Sequence, residues 1–418
     1  MAAHSNCTHK LAAGMKALPD SRKAFAHTQA LWRFMKNERV TLEALSQPLL
    51  AVAQEEVKSH CADWALCVHD WSRINYHRHA GKQDRYQMTH ATDVGYELQS
   101  SLLVSDRDGG PLVAPVQNLV TGVGVWQSRA SALQAHTLSH LDELTERIDW
   151  LEAQGLAKPL IHIIDREADS VAHFRRWSGA GWNWLVRMKE GGRIRVGNQE
   201  RKAGEVGSTL RFQRIREVRV KERPAYQWVA SCDVVVSRKA KPKRAEANGK
   251  RPAPQAGEPL ALRLVVSRIE DAAGTLLAQW YLLTNLPHSV ADGQVALWYY
   301  YRWQIESYFK LLKEAGHQLE SWEQETGLAV FKRLLIAGAA SVLVWRLMRT
   351  TDAFGQRTRE FLVRLSGRQM KPDKPITGPA LLDGLFKLFA MLETLQHYSS
   401  DELQKFADFA FPRGYSAR

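Results

Sequence analysis

Cysteine is scarce in this sequence. There are four in 418 residues, at Cys7, Cys61, Cys67 and Cys232, and no two form a C-x-x-C pair. That excludes a disulfide-stapled scaffold and the common zinc-finger spacings, and it predicts a reduced, cytoplasmic protein. His4, Cys7 and His9 lie close together, but no further donor follows them, so no metal site is expected there. Long apolar runs are missing as well. The first thirty residues hold no signal-peptide core, and the longest run, Leu334–Trp345, has twelve residues. That is too short to span a bilayer and reads as a buried helix. No repeat of solenoid length occurs. Acid is in short supply: 44 Asp plus Glu stand against 57 Lys plus Arg, a net charge of +13. Such an excess points to a polyanionic partner. With 45% hydrophobic and 24% charged residues, the chain is not mostly disordered.

The apolar pattern changes along the chain. Residues 1–60 read as helical, with Phe25, Leu31, Trp32, Phe34 and Met35 on one helix and Thr41 opening another. Trp64–Asp70 is a short apolar run ending in an acid, the pattern of a buried strand. Tyr96–Ser105 and Pro111–Val120 flank Asp106-Arg107-Asp108-Gly109-Gly110 and read as a hairpin. Thr137–Gln154 is an amphipathic helix closed by Gly155. Leu160–Ile164 is a strand that stops at Asp165, and Arg166–Trp177 reads as the helix after it. This alternation predicts an α/β core over 61–186. Residues 187–286 break the rhythm with strand-like stretches at Arg216–Val220, Trp228–Ser237 and Leu260–Ile269, a β-rich insertion. Its stretch Arg238–Arg251 holds seven basic residues and one acid, Glu246, and reads as a phosphate-contacting loop. From Ser289 to Ala315 a long helix is expected, and 346–418 is helical with proline and glycine breaks.

The long helix carries the strongest signal. Tyr299, Arg302, Glu306 and Lys313 sit at offsets 0, 3, 7 and 14, within an arc of about 60° on a straight helix, and Lys310 joins that face. An ordinary i,i+4 ion pair such as Glu306 with Lys310 would explain part of it. Asp70 and Asp165 each close an apolar strand. If those strands are neighbours, both carboxylates emerge at one end of a sheet, where a flanking helix can add Glu306. Three converging carboxylates suit a two-metal phosphoryl-transfer site, and hard oxygen donors suit Mg²⁺. Asp63 and Asp84 are rivals for the first acid, although neither ends an apolar run. Asp169 is the rival for Asp165, but it would lie a turn into a helix as an ordinary surface acid.

The spacing Tyr299-x2-Arg302-x3-Glu306-x6-Lys313 resembles the Tyr-Arg-Glu-Lys signature of the DDE (Asp-Asp-Glu) cut-and-paste bacterial transposases of the insertion sequence four family. Asp165-Arg166-Glu167-Ala168-Asp169 is similar to the segment around that family's second catalytic aspartate. The resemblance covers roughly residues 24–345. It implies a ribonuclease-H-like mixed sheet with flanking helices, interrupted by a β-rich insertion. In those terms 1–60 would be a DNA-binding region, 61–186 the first part of the core and 187–286 the insertion. Residues 287–345 would carry the glutamate helix, and 346–418 a dimerisation region. Asp70, Asp165 and Glu306 would bind two Mg²⁺ ions, with Mn²⁺ able to substitute. Tyr299, Arg302, Lys310 and Lys313 would hold the transposon end. Trp280 would stack on a flipped base during hairpin formation, and Arg187 and Lys189 would contact DNA. The implied partners are double-stranded terminal inverted repeats, target DNA and a second protomer on paired ends, with no membrane partner. A domesticated nuclease and a catalytically silent DNA-binding protein are the competing readings.

Overall fold

The computed structural model describes residues 21–136, 139–220, 223–240, 253–313, 316–368 and 376–410, with side chains from residue 29 onward. Two helices open it, α1 (Ser21–Lys36) and α2 (Leu42–His60). Thr41 caps α2 by accepting the Ala44 N–H at 3.2 Å. Leu42, Leu49, Ala53 and Val57 bury one stripe of α2. The chain then enters β1 (Ala65–Asn75) through a bend fixed by Asp106, whose carboxylate accepts the N–H groups of Ala62, Asp63 and Trp64 at 2.7, 3.0 and 3.0 Å.

β1 continues past the acid at which its apolar run stops. Antiparallel β3 (Val94–Ser105) pairs with it along its whole length, from Ala65↔Ser105 to Asn75↔Gly95. Parallel β6 (Leu160–Ile164) accompanies it only as far as His69↔Ile164. The apolar run therefore marks the part of the strand that is buried on both faces, not its end. The hairpin partner is β4 (Pro111–Thr121), followed by β5 (Gly124–Gln127), and short β2 (Tyr86–Gln87) borders β3. Gly109 in the hairpin loop has φ +72°, and a Cβ there would meet the ring of Tyr301 at 2.4 Å. Helix α3 (His140–Glu152), capped by Ser139, leads into β6. Where one helix was expected after Asp165, a single 3₁₀ turn (Arg166–Ala168) precedes α4 (Val171–Gly179). β7 (Asn183–Met188) then pairs parallel to β6.

The order β4-β3-β1-β6-β7, antiparallel through β1 and parallel from there, is that of a ribonuclease-H-like sheet, with helices on both faces. The insertion supplies β8 (Arg193–Val196), β9 (Gln199–Lys202), α5 (Ala203–Thr209), β10 (Gln213–Val220), β11 (Arg223–Val236), β12 (Leu260–Asp271) and β13 (Leu276–Thr284). It is no separate sheet. β13 lies antiparallel on β7, from Tyr281↔Met188 to Thr284↔Leu185, so the described strands form one 13-stranded mixed sheet. The free edge of β7 is covered in this way.

The expected single helix over 289–315 is two helices. α6 (Asp292–Tyr301) stops at Arg302 and α7 (Trp303–Leu312) starts there. The N–H of Arg302 goes to the Tyr299 carbonyl at 3.1 Å, and that of Ile305 to the Arg302 carbonyl at 3.2 Å, i→i−3 bonds that tighten the turn. α8 (Gly327–Arg349) is long and apolar enough to cross a membrane, but 78% of its apolar window is buried inside the protein. α9 (Ala353–Ser366) and α10 (Gly378–Leu395) pack beside it, and α11 (Ser400–Ala410) follows. Leu381, Leu382, Leu385, Leu388, Phe389, Leu392 and Leu395 recur at three- and four-residue spacing as an apolar stripe of α10; Leu381 and Leu382 are buried and Leu385, Leu388 and Phe389 half-buried, whereas Leu392 and Leu395 are exposed.

Candidate active site

The β1–β6 register places the two aspartates side by side. His69 is level with Ile164, so Asp70 and Asp165 occupy the next step, where β6 ends and β1 runs on. Each carboxylate is held by backbone. Asp165 accepts the Glu167 N–H at 2.8 Å, and Asp70 accepts the Trp71 N–H at 2.9 Å. Glu306 comes from the first turn of α7.

Arg302, at the break between α6 and α7, joins these elements. Its guanidinium donates to Asp70 Oδ2 at 3.0 Å and to Glu306 Oε1 at 2.8 Å. Glu306 thus pairs with Arg302 and not with Lys310, which is exposed. Burial pushes the Asp70 carboxyl up to about 6; the Trp71 N–H and Arg302 oppose the rise, and the negative charges of Asp165 and Glu306 add to it. A half-buried acid whose pKa is raised by burial and by two neighbouring carboxylates marks a site that a divalent cation relieves, and the donors are all hard oxygens. The residues present therefore fit Mg²⁺ or Mn²⁺.

A second group borders Asp165. Tyr299 is buried, which raises its phenol pKa, and the nearby positive charges of Arg302 and of Arg187 on β7 oppose the rise. Its ring lies against half-buried Trp280 on β13, with centroids 6.0 Å apart and planes at 56°. The fusion of insertion and core through β7 and β13 makes this meeting possible.

Other candidates fall elsewhere. Lys313 leaves the end of α7 and donates to the Arg73 carbonyl, 3.7 Å from Glu320, so it does not continue a straight stripe with Glu306. Lys189 has an exposed side chain, and its N–H donates to Asp169 Oδ2 at 3.1 Å. Asp169 is not a helix-surface acid: its side chain is 3% exposed and it is paired with Arg238. Arg238, expected in a phosphate-contacting loop, therefore points inward, while 241–252 lie outside the described residues. Asp84 accepts the Tyr96 hydroxyl and, at 2.7 Å, the Gly327 N–H, a structural role. Asp63 is exposed. Sequence reasoning missed His140. It donates to Glu97 at 3.0 Å, which raises its pKa, and it meets the Trp71 ring edge-on at 5.0 Å, on the face of β1 opposite Asp70. These residues come from three separate segments, and no spacing signals the cluster.

A model of the transposase DDE domain matches residues 129–343, half of the chain. The chain belongs to that family. The matched span contains Asp165, Arg187, Lys189, Trp280, Tyr299, Arg302, Glu306, Lys310 and Lys313 and begins after Asp70. DDE transposases use divalent metal ions, in accord with the carboxylate set. No curated protein matches. Among solved structures, a cryo-EM structure of the piggyBac transposase synaptic complex with hairpin DNA is similar at 7% identity and a TM-score of 0.35, over 84% of this chain. The chain spans 57% of that protein's length.

Proposed function

We propose that this DDE-family chain is a DNA transposase that cuts transposon ends and joins the freed 3′-hydroxyls to a target. The observation that supports this most is that Asp70, level with Asp165 where β6 ends, is joined to Glu306 through the Arg302 guanidinium. When bound there, two Mg²⁺ ions supply activation of the attacking oxygen and stabilisation of the leaving oxygen. The chain's own residues hold the DNA. The Arg302 guanidinium orients Asp70 and Glu306 and brings a positive charge to the edge of the site, where it favours a backbone phosphate. Tyr299 and Arg187 line the side of Asp165, and Trp280 offers a ring on which a displaced base can stack. One active site per end, cutting both strands, favours a hairpin intermediate. Two ends joined to one target require two protomers, with the exposed end of the α10 stripe as part of their contact.

A cleavage assay tests this reading. Linear DNA carrying the inverted repeats that flank the gene is incubated with the protein, with and without Mg²⁺. Metal-dependent nicks at the repeat boundary and a hairpin product support the reading. Absence of any metal-dependent cutting by a folded, DNA-binding protein overturns it in favour of a silent binding protein. Cutting without end joining favours a nuclease.

A further inference from the structure

Behind the carboxylates, on the opposite face of β1, lies a second cluster of chemically capable side chains. Cys67 and His69 are two residues apart on that face, and His162 on β6 is level with Cys67. All three are buried, at 0%, 1% and 0% exposure. A sulfur from Cys67 and one ring nitrogen from each histidine lie within 4.8 Å of one another. The inner nitrogens face each other, His69 Nε2 to His162 Nδ1 at 2.9 Å. The outer nitrogens are both held: His162 Nε2 by Glu152 at 2.9 Å and His69 Nδ1 by Ser101 Oγ at 2.8 Å. Arg147 in turn donates to Ser101 Oγ at 3.0 Å.

We propose that Cys67, His69 and His162 bind one thiophilic d¹⁰ cation, zinc(II) or copper(I), which staples β1 to β6 directly behind Asp70 and Asp165. Imidazoles that ligate metals present one nitrogen to the ion while a carboxylate, hydroxyl or carbonyl holds the other, and Glu152 and Ser101 stand in those places. A thiolate with two imidazoles selects soft or borderline ions over Mg²⁺, so this site is chemically distinct from the carboxylate site. Two nitrogens on one tetrahedral ion are about 3.3 Å apart, so the rings need to separate by only a few tenths of an ångström. In the metal-free chain Glu152 accepts from His162 Nε2, His162 Nδ1 accepts from His69 Nε2, and His69 Nδ1 accepts from Ser101. On binding, the His69 proton moves to Nδ1, where Ser101 Oγ accepts it, and the Cys67 thiol proton leaves to solvent. Because the site is closed to water, the ion enters as the chain folds.

The test uses the full untagged chain, expressed with zinc and separately with copper, and refolded with each. Metal analysis should find about one equivalent of one of the two ions per chain, which identifies it. Refolding with Co²⁺ should give a thiolate-to-cobalt absorption band, and Cys67→Ala should abolish both band and metal. A strong chelator should lower the melting temperature of the wild type while leaving folded Cys67→Ala unmoved. Should that variant fail to fold, the wild-type metal content and chelator shift decide. A folded wild type that holds neither ion under any of these conditions, and whose melting point ignores the chelator, overturns the proposal and leaves a hydrogen-bonded chain from Glu152 to Ser101. None of these readouts depends on DNA cleavage.

Discussion

Asp70 and Arg302 are 232 positions apart in the chain, and the Arg302 guanidinium lies 3.0 Å from the Asp70 carboxylate. The same guanidinium holds Glu306 at 2.8 Å. A cation built into the protein thus sits between two acids expected to bind metal. Replacing Arg302 by Ala leaves the acids to repel one another, at a cost of about 1–3 kcal/mol. Mg²⁺ should then raise the melting temperature of Arg302→Ala more than that of the wild type. The slope of log DNA affinity against log salt should become shallower by about 0.9, the value for a single phosphate. Equal Mg²⁺ shifts in both proteins would remove Arg302 from the metal site.

Asp70→Asn, Asp165→Asn and Glu306→Gln each remove a hard oxygen ligand with little change of shape. Strand cleavage in Mg²⁺ should fall below detection in all three, while gel-shift affinity for end DNA stays within about threefold. Asp63→Asn, at an exposed position outside the site, should cut normally. Normal cutting by any of the three would take that residue out of the site.

The raised Asp70 pKa has a pH signature. Its carboxyl goes from the ordinary 3.8 up to about 6 on folding, so between those values the folded chain holds a proton the unfolded chain has lost. Stability in the absence of metal should therefore fall as pH rises from about 4 to 6, by up to about 3 kcal/mol, and then level off. Denaturant titrations across this range should show the fall in the wild type and lose that component in Asp70→Asn. Metal-dependent cutting should weaken as pH falls, because a protonated Asp70 binds metal poorly, and its midpoint should move to lower pH as Mg²⁺ is raised.

Arg238 and the loop after it should separate. Arg238 pairs with the buried Asp169 carboxylate, so Arg238→Ala should cost about 2 kcal/mol in a denaturant melt and leave the salt slope of DNA binding unchanged. Neutralising Lys241, Lys243 and Arg244 together should do the reverse. A large salt-slope change from Arg238→Ala would place its side chain on DNA.

Leu392 and Leu395 on α10 are 50% and 51% exposed. Leu392→Asp with Leu395→Asp should leave the free chain folded and reduce the dimer seen by light scattering on paired-end DNA. An undiminished dimer would move the protomer contact elsewhere.

Sequence pattern alone located much of the core. The apolar run Leu160–Ile164 ends as a strand where Asp165 begins, and the hairpin, α2 and α3 appear where periodicity and turn residues put them. These are local properties, since burial on both faces demands continuous apolar runs and a helix stripe repeats within a turn or two. The tight turn at Arg302 has no such mark. Neither glycine nor proline announces it; the helix breaks where a guanidinium can reach β1 and α7 together. Nor does sequence show that Asp169 is buried, that Trp280 and Tyr299 meet, or that Cys67, His69 and His162 converge. Those relationships depend on the β1–β6 register and on β13 lying against β7. Local propensity selects the strands, but the energy of pairing two segments a hundred residues apart depends on the whole sheet, and only the tertiary structure decides which side chains come to share a site.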